Sequence, residues 1–210
     1  LNRSQVLLSQ GLYCADILSY YGTGVPRYVF LDNDVKGVPP GYAWDMCNSE
    51  VLLSRASVKN KRIYLPDGMS YGLLALTDQK DISLPVLKKI ELMVKEGIIL
   101  VGPPPERASG LSDYPESDLE IKAIVKRLWG AIDQKNIFSN NYGEGKVYSG
   151  KTIAEVLKIE RITPDFSYTA DPGVGMEYIH RSADDIEIYF VTNKWARKGV
   201  DDFTYRYLAN

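Results

Sequence analysis

The sequence predicts an α/β fold in which helices cover both faces of a mainly parallel sheet. Short, nearly continuous apolar runs, such as "YGLLAL" at 71–76 and "IILVG" at 98–102, are typical of buried strands. They alternate with stretches whose apolar residues recur at helical spacing, as at 84–94. Strands that alternate with helices usually lie parallel, because each helix carries the chain back across the sheet. We therefore expect three layers, α/β/α.

The first part of the chain predicts a helix, a strand and a long loop. Residues 1–10 are expected to be the tail of a preceding helix, which Gly11 ends. The run "YCADILSYYG" at 13–22 predicts one strand. The loop at 23–46 is longer than a simple connector needs, and loops of that length are usually functional or disordered. Its aromatic residues indicate order.

Capping residues predict where the helices begin. Asn48 is an expected N-cap for a helix over 48–55, with Val51, Leu52 and Leu53 in the core. The other predicted helix starts are Ser83, Ser117 with Glu120 as a capping box, and Thr152 with Glu155 as a second capping box. A turn is predicted at Pro66-Asp67-Gly68 between two β segments.

The C-terminal part predicts β structure. Segments around "MEYIHRS" and "DIEIYFVTN" are predicted strands, and "DFTYRYLAN" alternates like a strand of a different, β-rich module. We therefore divide the chain into the helix tail at 1–10, an α/β domain at 11–193, and the start of a β-rich module at 194–210.

Composition excludes several classes of function. A net charge of −2 gives no basic face for nucleic acid, and no apolar run approaches the roughly 20 residues that span a membrane. The first apolar run is also too short for a signal peptide. Cys14 and Cys47 are too few for a disulfide framework, and Cys14 is expected to be a buried small hydrophobic residue. We predict no cofactor and no metal.

The motif "GKVYSGKT" at 145–152 has the spacing of a phosphate-binding P-loop, but its surroundings argue against that function. A P-loop follows a buried strand, whereas the preceding "NIFSNNYGE" is polar. Val147 and Tyr148 fit a strand better than a loop, and Thr152 has a local role as a helix cap. We interpret the match as a coincidence of turn and cap residues.

The strongest candidate for a binding site is "GYAWD" at 41–45. Tyr42, Trp44 and Asp45 could form the rim of a sugar site, because aromatic rings stack on apolar sugar faces and carboxylates accept bonds from sugar hydroxyls. The same residues could form a packed corner that leads the chain into a helix. Ligands of open α/β sheets bind at the carboxyl ends of the strands, where we expect this loop.

His180 is the single histidine, which excludes most multi-histidine metal sites and leaves little for a Ser-His-Asp relay. It is expected either to be hydrogen-bonded at a sheet edge or to contact a ligand at the ligand-facing end of the sheet. A catalytic pair with Cys47 is disfavoured, since Cys47 lacks the glycines of a nucleophile elbow.

Four segments together resemble glycoside hydrolase family 106, the α-L-rhamnosidases. They are "RSQVLLSQGLYCADILSYYG", "GYAWDMCNSEVLLSRASVKNKRIYLPDGMSYGLLAL", "VGPPPE" and "EYIHRSADDIEIYFVTN", and they cover most of 3–193. The resemblance is to the flavodoxin-like module, akin to a glutamine amidotransferase fold, that follows the catalytic barrel. One departure concerns the glycine-led loop, usually Gly-Tyr-Asp-Tyr-Asp, in which Ala43 and Trp44 replace an acid and a tyrosine.

The resemblance implies a function as well as a fold. The catalytic carboxylates and calcium site would belong to a (β/α)8 barrel before Leu1, and a β-sandwich would follow Asn193. This segment would then be a non-catalytic accessory module of a glycoside hydrolase, periplasmic or extracellular, that braces the barrel and contributes to the sugar-site rim. Two alternatives stay open: a homo-oligomerisation or interaction module without sugar contact, and an independent flavodoxin-like ligand-binding domain.

Overall fold

The computed structural model describes residues 2–22, 37–76, 80–169 and 175–193, together with the backbone of a strand at 206–208. It is a mixed α/β chain with several sheets, so the predicted α/β class is confirmed in this coarse form. The described helices are α1 (Asn2–Leu8), α2 (Leu84–Lys95), α3 (Glu116–Trp129), α4 (Ile153–Ile159) and a π-helical segment, Val51–Arg55. The described strands are β1 (Leu12–Tyr13), β2 (Ile17–Tyr20), β3 (Trp44–Cys47), β4 (Ser57–Lys59), β5 (Arg62–Tyr64), β6 (Ser70–Tyr71), β7 (Leu73–Leu76), β8 (Asp81–Ile82), β9 (Ile99–Val101), β10 (Arg107–Ala108), β11 (Ser139–Tyr142), β12 (Gly145–Tyr148), β13 (Met176–Ala183), β14 (Ile186–Asn193) and β15 (Arg206–Leu208).

The central sheet has six strands in the order β11-β12-β9-β7-β2-β3. Five of them, from β12 to β3, are parallel, and β11 joins the edge as an antiparallel hairpin partner of β12. Neighbouring residues of a strand point to opposite faces of a sheet. Accordingly Leu18 packs in a cluster with residues of α2 and α3, whereas Ile17 packs in a second cluster with residues of α4.

The remaining sheets are smaller and mostly antiparallel. The largest has the order β1-β13-β14-β15, and a three-stranded sheet is formed by β4, β5 and β6. β8 and β10 form a parallel pair of two residues each. The mainly parallel arrangement that the sequence predicts therefore describes the central sheet and not the chain as a whole.

Two predicted strands are each divided between two sheets. In 13–22, β1 pairs with β13 of the antiparallel sheet, and after a break the chain continues as β2 in the central sheet. In 71–76 the division falls at Gly72, between β6 and β7. The backbone N–H of Gly72 donates to the carbonyl of Asp16 at 2.7 Å, so the two breaks lie side by side. The prediction of single continuous strands is wrong at both places.

The helix predicted at 48–55 forms, but with a different winding. The Asn48 side chain accepts a hydrogen bond from the Val51 N–H at 3.0 Å, which confirms its capping role. The residues from Val51 to Arg55 are π-helical, and only Leu52 of the three predicted core residues is fully buried. Leu53 is exposed, which corrects its assignment to the core.

The capping predictions are partly confirmed. Thr152 and Glu155 form the reciprocal capping box of α4. The box predicted at Ser117 is wrong, because α3 begins at Glu116 and Ser117 lies buried in its first turn. Ser83 has the extended backbone of an N-cap, but its side chain makes no capping bond.

The P-loop interpretation finds no support in the described residues. The first half of "GKVYSGKT" is strand β12 rather than a loop, and the Lys151 ammonium bonds the Glu155 carboxylate at 3.1 Å. The turn at 66–68 is confirmed by a bond from the Gly68 N–H to the Leu65 carbonyl. Most of the predicted loop, 23–36, lies outside the described residues. Within the described part of the chain, no helix has the length and apolar character needed to cross a membrane.

Candidate site at the junction of two sheets

Trp44 and Asp45 lie in strand β3 and not in a loop. Trp44 pairs with Ile17, the first residue of β2, so both residues lie at the amino end of the parallel strands. Tyr42 precedes them at the same end. The expectation that these residues lie at the carboxyl ends is therefore wrong. The chain leaves β2 at its carboxyl end, and a parallel β3 can begin only after the chain has returned to the other end.

The polar groups of Tyr42 and Asp45 are engaged inside the chain. The Tyr42 hydroxyl donates to the Ile162 carbonyl at 2.7 Å. One Asp45 carboxylate oxygen accepts from the Met46 N–H at 2.8 Å, and the other accepts from the Tyr71 hydroxyl at 2.9 Å. The rings of Tyr42 and Trp44 pack, partly buried, on the cluster around α4. These contacts are those of a packed corner, and the Trp44 ring keeps part of its surface exposed.

Gly41 connects this corner to the antiparallel sheet. Its carbonyl accepts hydrogen bonds from the Tyr178 hydroxyl at 3.0 Å and from the Phe166 N–H at 3.1 Å. Its φ is +88°, and a Cβ at this position would lie 2.2 Å from the Phe166 carbonyl oxygen. Glycine is therefore required by the close approach as well as by the backbone conformation. We call the region between the amino end of the central sheet and the β13–β14 hairpin the junction.

His180 lies within the antiparallel sheet and not at its edge, since β13 has neighbours on both sides. It is buried, with 8% of its surface exposed. Its Nδ1 is 2.8 Å from the Asp165 carboxylate and its Nε2 is 2.6 Å from the Glu187 carboxylate. The ring stacks on Tyr189 with centroids 4.0 Å apart, and the Tyr189 hydroxyl donates to the second Asp165 oxygen at 3.0 Å.

The structure places Cys14, rather than Cys47, beside His180. The sulfur of Cys14, a ring nitrogen of His180 and a carboxylate oxygen of Glu187 all lie within 4.8 Å of one another. Cys14 is only half-buried, which corrects its expected place in the core. Cys47 is buried at the far end of β3, where burial raises the pKa of its thiol to about 12. A nucleophilic Cys47–His180 pair is therefore not formed.

Several acidic, phenolic and thiol groups of the junction are partly withdrawn from solvent and lie near one another. Burial raises the pKa of Tyr13 to about 12, and the nearby carboxylates of Asp45 and Asp16 add to the rise. Burial also raises the pKa of Asp16 itself, although the Ala43 N–H donates to its carboxylate at 3.0 Å and opposes the change. The pKa of Cys14 is raised by burial and then by the negative charge of Glu187. The positive charges of Arg62 and Arg181 oppose the rise in the pKa of Asp16 and of Cys14, respectively.

Comparison with known proteins identifies the family to which this chain belongs. A family model described as alpha-L-rhamnosidase, that of glycoside hydrolase family 106, matches residues 1–207. The chain belongs to glycoside hydrolase family 106. The rhamnosidase from Novosphingobium sp. PP1Y has a solved structure that superposes on 91% of this chain with a TM-score of 0.78 and 30% identity. A protein of Formosa agariphila named "Putative beta-glucuronidase" is 33% identical over 205 residues, 98% of this chain.

This family-106 chain spans only a small part of those relatives. It covers 18% of the Novosphingobium rhamnosidase and 16% of the Formosa protein. The match is therefore consistent with one domain of a larger, multidomain chain. The sequence-based resemblance to family 106 is confirmed by these comparisons.

Sequence reasoning about this family-106 chain missed the partners of His180. In the β13–β14 hairpin, His180 pairs with Tyr189 and Ser182 pairs with Glu187, so these side chains share one face. The period-two alternation of "EYIHRSADDIEIYF" could have identified this face. Nothing local could have identified Asp165, which reaches His180 from a segment without regular secondary structure.

Proposed function

We propose that this chain is a non-catalytic accessory α/β domain of a larger family-106 glycoside hydrolase, where it braces a catalytic barrel that precedes it. The supporting observation is that the alignments cover nearly all of this chain but only a small part of each relative. The relatives are about five to six times longer than this chain. A barrel upstream and a β-sandwich downstream are the proposed neighbours in the parent chain.

We further infer that the domain is a flavodoxin-like, three-layer α/β/α unit. The five parallel strands support this inference, because numbering them along the chain gives the order 2-1-3-4-5 of flavodoxin-like sheets. The two hydrophobic clusters also support it. One joins the sheet to α2 and α3, and the other joins it to α4.

A contribution to the sugar-site rim is the finer part of the proposal. Tyr42, Trp44, Asp45 and His180 are the residues proposed for it. Because the polar atoms of Tyr42 and Asp45 are held by internal bonds, we assign them the positioning of the Trp44 ring. Trp44 would then offer an apolar face on which a sugar can stack, as aromatic side chains do at polar interfaces.

The absence of catalysis in this domain is tested by expressing the chain alone beside the full-length parent. Both are assayed on an aryl α-L-rhamnoside and an aryl β-D-glucuronide, the two classes that the names of the relatives suggest. We expect turnover by the parent and none by the isolated chain. Substantial turnover by the isolated chain would contradict an accessory role.

The rim contact is tested by Trp44→Ala in the full-length parent, with Tyr114→Ala as a matched control. Tyr114 is an exposed aromatic residue that lies away from the junction, just before α3. If Trp44 contacts the sugar, its loss raises KM severalfold and the control leaves KM unchanged. Unchanged kinetics together with an altered oligomeric state, measured by light scattering, would favour the assembly module instead.

A further inference from the structure

We propose that Cys14, His180 and Glu187 bind a divalent transition-metal ion of the zinc class at the junction. The three ligand atoms come from separate elements: the segment after β1, the middle of β13 and the start of β14. They nevertheless lie within 4.8 Å of one another. Ligand atoms bound to one zinc ion lie somewhat closer together than this. Small rotations of the three side chains would bring these atoms to that separation.

The chemical types of the ligands select the class of metal. Thiolate, imidazole and carboxylate are the usual ligands of zinc, at about 2.0–2.3 Å. Calcium and magnesium prefer oxygen ligands, so a sulfur and a nitrogen among three ligands disfavour both. Three protein ligands leave a fourth tetrahedral position for water or another oxygen donor. Glu187 is the most exposed of the three, and it opens the site to solvent.

Asp165 would orient the metal-bound His180 without itself contacting the ion. A metal-bound histidine almost always donates its other ring N–H to a carboxylate or carbonyl, which fixes the tautomer and the orientation of the ring. In this chain the Nδ1 of His180 faces the Asp165 carboxylate at 2.8 Å and leaves Nε2 on the side of Glu187. Asp165 is itself held by the Tyr189 hydroxyl at 3.0 Å.

The charges at the site also favour a cation. The two ring nitrogens of His180 lie 2.8 Å from the Asp165 carboxylate and 2.6 Å from the Glu187 carboxylate, so two acidic groups flank the proposed ion. A metal ion binds cysteine, histidine and glutamate in their deprotonated forms, so its affinity falls as the pH is lowered. The bound ion would then carry a thiolate, a neutral imidazole and a carboxylate, with no net charge among these four groups.

An ion at this position would fasten the β13–β14 hairpin to the segment that enters the central sheet. That connection already includes the β1–β13 pairing, the bonds from the Arg181 guanidinium to the carbonyls of Gln10 and Gly11, and the bond from the Cys14 N–H to the His180 carbonyl. Because the metal would bind the folded chain and not the unfolded one, it would raise the stability of the junction in proportion to the logarithm of its concentration.

The test is a cobalt titration of the metal-depleted full-length protein under a non-chelating reductant. Cobalt(II) takes the place of zinc and reports a bound thiolate by a near-ultraviolet charge-transfer band. We expect this band to saturate at one equivalent and to disappear on competition with zinc. Cobalt binding without the band, or no saturable binding at all, would overturn the proposal, and neither result depends on a variant.

Variants then assign the ligands. Cys14→Ser should remove the charge-transfer band, whereas the matched control Cys47→Ala, which changes the other thiol, should keep it. Asp165→Asn should weaken zinc binding about 10- to 100-fold, the usual effect of losing a carboxylate behind a metal-bound histidine, and should keep the band. Each variant is first checked for a native circular dichroism spectrum. A band that persists in folded Cys14→Ser would overturn the proposal.

Discussion

The hydroxyl of Tyr71 is the one side-chain donor bonded to Asp45 among the described residues, and 1% of the Tyr71 surface is exposed. Tyr71→Phe should therefore leave a carboxylate oxygen without its donor at little cost in packing. Hydrogen bonds to charged groups contribute about 1.5–3 kcal/mol, so we expect the free energy of unfolding to fall by that amount. Urea denaturation measures the change.

The matched control for this prediction is Tyr64→Phe. The Tyr64 side chain is half-buried in the neighbouring strand β5, and its hydroxyl has no partner in the described part of the chain. Its loss should change the free energy of unfolding by less than about 0.5 kcal/mol. Equal effects of the two substitutions would show that the bond to Asp45 contributes nothing of its own.

At the scale of single residues, the sequence indicates which side chains are unusual but not which atoms they meet. The density of aromatic and acidic residues in "GYAWD" correctly marks a structured corner. The partner of Asp45 lies 26 residues away, and the partner of Tyr42 lies 120 residues away. Such contacts depend on the topology of the whole sheet, and no local pattern contains them.

The capping box of α4 makes a sharp prediction at the scale of one element. The Thr152 hydroxyl accepts a bond from the Glu155 N–H at 3.2 Å, and the Glu155 carboxylate accepts from the Thr152 N–H at 2.8 Å. Thr152→Ala should lower the free energy of unfolding by about 1 kcal/mol, because it removes the N-cap acceptor. Thr152→Ser keeps the acceptor and should restore most of that loss in thermal denaturation. A serine variant as unstable as the alanine variant would argue against the cap.

Gly41 gives a second prediction, for the turn that precedes β3. Gly41→Ala combines an unfavourable φ with a contact of 2.2 Å to the Phe166 carbonyl oxygen. Gly110→Ala is the matched control, since Gly110 has a φ of +90° and open space around its Cβ position. We expect the control to lose about 1 kcal/mol and Gly41→Ala to lose clearly more, by chemical denaturation. Similar losses would mean that the junction moves to admit a methyl group.

The elements that the sequence predicts well are those with local signals. The cap at Thr152 and the turn after Leu65 need only neighbouring residues, and both are confirmed. The strands are harder, because "YCADILSYYG" has no signal that its first and last residues pair in different sheets. Strand breaks of this kind are decided by partners far along the chain.

For the whole molecule, the alternation of strands and helices was enough to predict the α/β class and a parallel central sheet. It could not predict the antiparallel sheet that adjoins the amino end of that sheet, because hairpin strands and parallel strands have similar compositions. The location of the junction follows from this second sheet. The sequence therefore identified Tyr42 and His180 as candidates but predicted a ligand at the carboxyl ends of the strands, whereas Tyr42 lies at the amino end, next to this second sheet.

Tyrosines of the junction predict a loss of stability at alkaline pH. Burial is the first cause that raises the pKa of Tyr13 from 10.0 to about 12, and burial likewise raises the pKa of Tyr71, Tyr178 and Tyr189. The unfolded chain then releases these protons at a lower pH than the folded chain does. The stabilisation is complete below pH 10 and is lost as the pH rises toward 12 and beyond.

The urea concentration at the midpoint of unfolding, measured across this pH range, tests the prediction. Tyr13→Phe should make the alkaline decline shallower than in the unsubstituted protein, because phenylalanine has no proton to release. Lysines also titrate in this range, but they are common to both proteins and cancel in the comparison. An alkaline slope for Tyr13→Phe equal to that of the parent would show that Tyr13 ionises alike in the folded and unfolded chain. The neutral phenol would then not be one of the groups that hold the junction together.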